Sequence, residues 1–143
     1  VLPKNELHII GRLERINLPN WDLIGLEAKV DTGAYSSSIH CSHIYSFEKN
    51  NEIWVRFQLL DPEHSAYNHK TFEVPVSDVR DVKSSNGSVE SRYFVSTIIE
   101  LNKQLIEVEL SLTDRSEMKY PVLLGRKFLL NRFLVDVSKS NVS

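Results

Sequence analysis

Asp31-Thr32-Gly33 closes an apolar stretch, Leu26 to Val30, and runs through Ala34-Tyr35 into three consecutive serines, Ser36 to Ser38. An aspartate at the end of a strand, followed by a small hydroxyl residue and a glycine, presents one carboxylate from a tight, rigid turn. Gly33 is expected to supply the freedom to turn sharply, and the Thr32 hydroxyl to bond locally and lock the loop. A carboxylate presented in this way can take a proton from a water molecule and direct it at a carbonyl. Peptide hydrolysis of that kind needs two carboxyl groups sharing a proton. One is ionised as the base and the other is protonated to polarise the scissile carbonyl, because close like charges drive their pKa values apart. The chain has a single Asp-Thr-Gly: Asp61 precedes Pro62, Asp78 precedes Val79 and Asp114 precedes Arg115. A symmetric homodimer that brings Asp31 against its copy is therefore the expected source of the second carboxylate. In a monomer, Asp114 and Asp136 are the first candidates.

Three cations bear on the same chemistry. Lys29 lies two residues before Asp31, on the same strand face; Arg126 follows Gly125; Arg92 sits on an expected hairpin. With Ala34, they are read as the substrate-binding residues, a basic pocket suited to acidic peptides. Each also has a plainer use: Lys29 as a solvated strand lysine, Arg126 as a helix-start arginine, Arg92 as the cross-strand partner of a glutamate.

Other chemistries find less support. His40-Cys41-Ser42-His43 offers three zinc ligands within four residues, but no fourth ligand cluster accompanies it and His-Glu-x-x-His is absent, so no metal site is assigned. No Gly-x-x-x-x-Gly-Lys-Ser/Thr loop is present to hold a nucleotide, and no cofactor is expected. The three serines lack a Gly-x-Ser-x-Gly elbow; they are read as the polar lining of the turn after Asp31.

The elements that must position Asp31 read as β. Strand-like patterns cover His8 to Ile16, Leu26 to Val30, Ile53 to Leu60, Thr71 to Val76 and Asp78 to Lys83. Asn86-Gly87 marks a hairpin, and Val89 to Leu101 with Gln104 to Thr113 form a second, joined at Asn102-Lys103. Tyr120 to Leu124 and Phe133 to Val137 are short strands around a short helix near Arg126 to Asn131. This predicts an all-β, closed barrel with at most one or two short helices. The 143 residues make one domain over 1–143, with 41% apolar and 25% charged residues. A net charge of -2 with mixed signs suggests neither nucleic acid nor a membrane as partner. No apolar run reaches the roughly 18 residues of a membrane span. The lone Cys41 excludes an internal disulfide framework and points to the cytoplasm, a periplasmic location staying open if a leader was trimmed.

Val30-Asp31-Thr32-Gly33-Ala34 has an echo about ninety residues on, Val122-Leu123-Leu124-Gly125-Arg126. With Ile10-Gly11-Arg12-Leu13-Glu14, Ser36-Ser37-Ser38-Ile39-His40 and Phe133-Leu134-Val135-Asp136, the order and spacing resemble a bacterial retropepsin-like family. That family was long labelled ATP-dependent zinc proteases and includes the small RimB-type peptidases. The resemblance implies a retropepsin-like (acid protease) β fold and an aspartic peptidase centre at Asp31, Thr32 and Gly33, braced from behind by Leu124 and Gly125. It also implies glutamate-containing peptides as substrate, and an ATP-grasp ligase partner behind the ATP label. The alternative is a peptide-binding module without catalysis on the same fold; a zinc metallopeptidase is third.

Overall fold

The structure, a computed structural model, describes residues 7–60, 64–83, 87–114 and 119–143. Asp61 and the Ser84-Ser85-Asn86 part of the expected hairpin turn lie outside the described residues. Among the described residues ten strands run in chain order: β1 (His8–Leu18), β2 (Leu23–Val30), β3 (Ser37–Lys49), β4 (Glu52–Leu59), β5 (Thr71–Pro75), β6 (Asp78–Lys83), β7 (Val89–Leu101), β8 (Gln104–Thr113), β9 (Val122–Leu124) and β10 (Phe133–Ser140). One helical turn, α1 (Arg126–Leu129), separates β9 from β10, and a 3-10 turn, Pro19–Trp21, separates β1 from β2.

The sheet order β1-β2-β9-β3-β8-β7 closes on itself through a β1–β7 pairing at Asn17↔Glu100. The Asn17 Nδ2–H donates to Glu100 Oε1 at 2.7 Å across this seam. The result is an all-β fold around a closed six-stranded barrel. β10 extends it beside β1, β6 beside β7, and β4 with β5 continue from the far half of β3. Alternation explains the core: on β7, Val95, Thr97 and Ile99 turn inward, and on β8 Ile106, Val108, Leu110 and Leu112 do the same. Ile10, Leu18, Ile39, Phe57, Leu110 and Leu124 lose all solvent contact, and each such side chain contributes about 1.5–3 kcal/mol. Among the described residues, no helix is long and apolar enough to cross a membrane.

The expected strands are present, with one addition. Of the three serines read as lining of a turn, Ser36 stays in the bend after Asp31, while Ser37 and Ser38 open β3, thirteen residues long, and are buried. Serine has little intrinsic preference for strands. What makes this one is position: its first half lies between β9 and β8, so its backbone bonds on both sides.

β1 also carries the clasp of the last residues. Gly11 passes so close to β10 that a Cβ there would sit 2.3 Å from the Lys139 carbonyl oxygen; only glycine fits. Three residues on, the buried Glu14 carboxylate accepts the Gly11 N–H at 2.7 Å, the Val142 and Ser143 N–H groups at 3.1 Å each, and the Ser143 hydroxyl. Burial pushes this carboxyl up, but the Ser143 hydroxyl and the three backbone donors outweigh it and hold the pKa below the usual glutamate value. A carboxyl lowered by folding stabilises the fold above its unfolded-state pKa and loses that contribution as pH falls through the folded value. Glu14→Gln is therefore expected to cost about 2–4 kcal/mol at neutral pH, measured by chemical denaturation. The deficit should shrink as the pH is lowered below about 4; a pH-independent deficit would contradict this account.

Candidate active site

Asp31 follows directly on β2, and β9 holds it there. β2 and β9 pair in parallel with Val30 opposite Leu124, and the Asp31 N–H donates to the Leu124 carbonyl at 2.9 Å. β9 in turn pairs antiparallel with β3, Ser38 opposite Leu123. The two strands that echo each other in sequence are thus neighbours in space, and the loop from 31 to 36 arches over the end of β9. Gly125 meets that arch. Its N–H donates to Ser37 Oγ at 3.0 Å, and a Cβ on it would lie 2.4 Å from the Ser36 carbonyl oxygen and 2.7 Å from that of Tyr35. The next two N–H groups, of Arg126 and Lys127, donate to the carbonyls of Ala34 and Tyr35 at 2.8 and 2.9 Å. The Arg126 guanidinium reaches the Thr32 carbonyl at 3.0 Å and lies 5.8 Å from the Tyr35 ring centroid.

Within the loop, the Ala34 N–H donates to the Asp31 carbonyl at 3.2 Å and the Gly33 N–H to Asp31 Oδ1 at 3.0 Å. The second bond fixes the carboxylate's orientation. Gly33 does not take a left-handed conformation, so the expected need for a sharp turn is not why glycine stands there. A Cβ at Gly33 would come 3.3 Å from the Asp31 oxygen, a tight contact that would press on the carboxylate this N–H orients. Thr32 is exposed and joins the brace through its carbonyl.

An open groove of about 760 Å³ runs from this loop. Asp31, Gly33 and Ala34 line it together with Ser38 and Ser111, Leu123, Arg92, and Asp81 and Lys83 of β6. Of the three expected cations, Arg92 borders the groove. Lys29 is exposed on β2 opposite Leu13, and Arg126 is tied to the loop. The expected glutamate across from Arg92 is absent: Arg80 occupies that register, and the nearby Glu90 belongs to Arg92's own strand. Asp114 and Asp136, the first-choice second carboxylates, do not border the groove: Asp114 follows β8 and Asp136 pairs with Gly11 on β10. Asp81 does, and was missed because nothing in Arg80-Asp81-Val82 marks it as more than a solvated strand residue.

The His40-Cys41-Ser42-His43 segment lies within β3. His40 is buried with Nδ1 3.3 Å from the Thr113 carbonyl oxygen, while His43 is exposed at a bulge. Burial, then the Asp114 charge, pushes the Cys41 thiol well above its ordinary pKa, which opposes the thiolate a zinc ligand requires. Among the described residues, no three His, Cys, Asp or Glu side chains converge on a common point for a metal.

A closed barrel in which a late strand braces an Asp-Thr-Gly loop places the protein in the retropepsin-like class of folds. A family model described as RimB-like, retropepsin-like aspartic endopeptidase RimB, matches residues 9–143, and the chain belongs to that family. A Legionella pneumophila protein of unknown function has a crystal structure that superposes with a TM-score of 0.75 at 28% identity, covering 96% of this chain and 98% of that one. Proteins named probable alpha-L-glutamate ligase are also similar. One from Shewanella halifaxensis is 42% identical over 92% of this chain, and one from Desulfotalea psychrophila is 34% identical over 90%. The chain spans 29% and 28% of the length of these relatives.

The brace makes a sharp prediction. Gly125→Ala is expected to destabilise by about 3 kcal/mol or more, because backbone, not a movable side chain, occupies the space. Ser37→Ala, which strands the buried Gly125 N–H, should cost about 1–3 kcal/mol. Equilibrium urea unfolding of the two variants checks both values and their order.

Proposed function

We propose that this domain hydrolyses peptide bonds, with Asp31 as the carboxylate that activates water. The observation that supports this most is the Asp31 loop itself. Its backbone is pinned by β9 and α1, its carboxylate is oriented by the Gly33 N–H, and it opens on a groove of about 760 Å³. A rigid, pre-oriented carboxylate avoids reorganisation at the moment of reaction. Asp31 takes the proton of the attacking water as the water's oxygen bonds to the scissile carbonyl carbon. A second, protonated carboxyl donates to the carbonyl oxygen, and collapse of the tetrahedral species passes a proton to the leaving nitrogen.

Asp31 of a second copy supplies that carboxyl in our reading, in a two-fold homodimer. We assign substrate contact to Ala34 and Arg92, which line the groove, and to Lys29 and Arg126, which lie close to the loop in the chain or are bonded to it. Acidic, glutamate-containing peptides suit these cations. The glutamate in the relatives' names supports that substrate class, and we assign the ligase chemistry in those names to the greater part of their length that this chain does not match.

Asp31→Asn is expected to lower the cleavage of glutamate-containing peptides by at least about 10³-fold while leaving the unfolding midpoint and peptide binding in place. Specific activity should fall as the protein is diluted through the dimer dissociation range. Activity independent of dilution, and abolished by Asp81→Asn, would replace the dimer with a site inside one chain. Wild-type protein that binds such peptides but cleaves none, at concentrations where it is dimeric, would make this a binding module.

A further inference from the structure

Glu109 lies on β8 two residues before Ser111, so both leave the barrel on the groove side while Leu110 between them enters the core. A glutamate on an outward strand face ordinarily stands in water. This one does not: its side chain is 22% exposed, and groups from β6, from the residue before β6 and from α1 converge on its two oxygens. Oε2 accepts from the Ser77 hydroxyl at 2.9 Å. Oε1 accepts from the Arg80 guanidinium and lies 3.6 Å from Lys127 Nζ. Burial pushes this carboxyl up, but Ser77, Arg80 and then Lys127 outweigh it and hold the pKa below the usual glutamate value.

What these partners carry gives the contacts their meaning. β6 ends the sheet path, pairs along one edge with β7, and brings Asp81, Val82 and Lys83 to the groove. Arg80 is itself held fast, by Asp78 at 2.9 Å and over the Phe94 ring at 3.8 Å from its centroid. Lys127 belongs to the helical turn that supports the Asp31 loop, its own N–H donating to the Tyr35 carbonyl at 2.9 Å. A cavity of about 110 Å³ is bordered by Ser36, by Lys127 and Phe128 of α1, and by Val108 and Glu109 of β8. Close packing is incomplete there, and the Glu109–Lys127 pair reaches across.

We infer that Glu109 is a positioning residue of the groove: it ties β6 to α1 and so fixes the separation between the β6 wall and the Asp31 loop. The inference rests on the peptide reading above and deepens it, by naming what holds the two sides of the groove together. Glu109 lines the cavity and not the groove, so it acts on substrate through its partners.

The test is a double-mutant cycle in the full chain, Glu109→Gln with Lys127→Glu, read by amide hydrogen exchange and by steady-state cleavage of glutamate-containing peptides. Glu109→Gln keeps the shape and removes the charge. Lys127→Glu sets a like charge against Glu109 and leaves the backbone bonds of α1 in place. Glu109→Gln is expected to speed exchange about five- to tenfold in both residues 78–83 and residues 126–129. KM should rise about fivefold while kcat stays within about twofold, because the bonds that orient Asp31 survive. Lys127→Glu should speed exchange in residues 126–129, and do so much less in the Glu109→Gln background. Faster exchange in residues 78–83 alone, or a Lys127→Glu effect that ignores position 109, overturns the inference and leaves the peptide reading standing. A lower kcat with KM unchanged marks a merely structural glutamate and overturns it as well. If Glu109→Gln does not fold, Lys127→Glu is compared with Lys127→Gln: charge reversal must loosen residues 126–129 more than neutralisation does, and equal effects overturn the tie. If the wild type cleaves no peptide, the peptide reading fails, and the exchange cycle still decides whether Glu109 joins β6 to α1.

Discussion

Everything at the site depends on one close approach, the passage of Gly125 beneath the carbonyls of Tyr35 and Ser36. With a side chain at that position the arch could not settle on the end of β9. The run of N–H groups from Gly125 to Lys127 would then lose Ser37, Ala34 and Tyr35 as acceptors. Asp31 would still follow an apolar strand, but its carboxylate would hang from an unsupported loop. The brace therefore turns a common tripeptide into a rigid presenter of charge, and it does so with backbone contacts that depend little on which side chains surround them.

The barrel supplies what the brace needs. β9 is three residues long and would not persist alone; it is held because β2 and β3 bond to both of its edges. That enclosure explains why Val122 and Leu124 are wholly buried while Leu123 faces the groove. The same alternation sends Ser38 and Ser111, register partners on β3 and β8, to the groove side. A floor of hydroxyl groups and one leucine follows from strand geometry, not from any local motif.

How much of this was legible in the chain varies with the kind of signal. The β7–β8 hairpin is plain because alternation is strict and Asn102-Lys103 separates the halves; both residues there take positive φ. The Asp31 loop and its brace are legible as a pair because the same apolar-to-glycine pattern occurs twice. β3 is not, since its opening serines derive their strand character from neighbours brought in by the fold. Gly33 shows a subtler loss: the residue type is evident, yet its close approach to the Asp31 oxygen, in place of a left-handed turn, is visible only in three dimensions. Asp81 and the Arg80–Arg92 opposition are invisible for a similar reason. Each depends on a register that the chain specifies only after the hairpin has formed.

The bonds that pin the loop join residues 88 to 94 positions apart. During synthesis at about 5–20 residues per second, the carboxylate emerges well before its support, by roughly 5–20 seconds. Until β9 arrives and slots between β2 and β3, the nascent chain has an aspartate but no oriented one. Orientation of the carboxylate is thereby tied to completion of the fold: the aspartate is made early and set in place late.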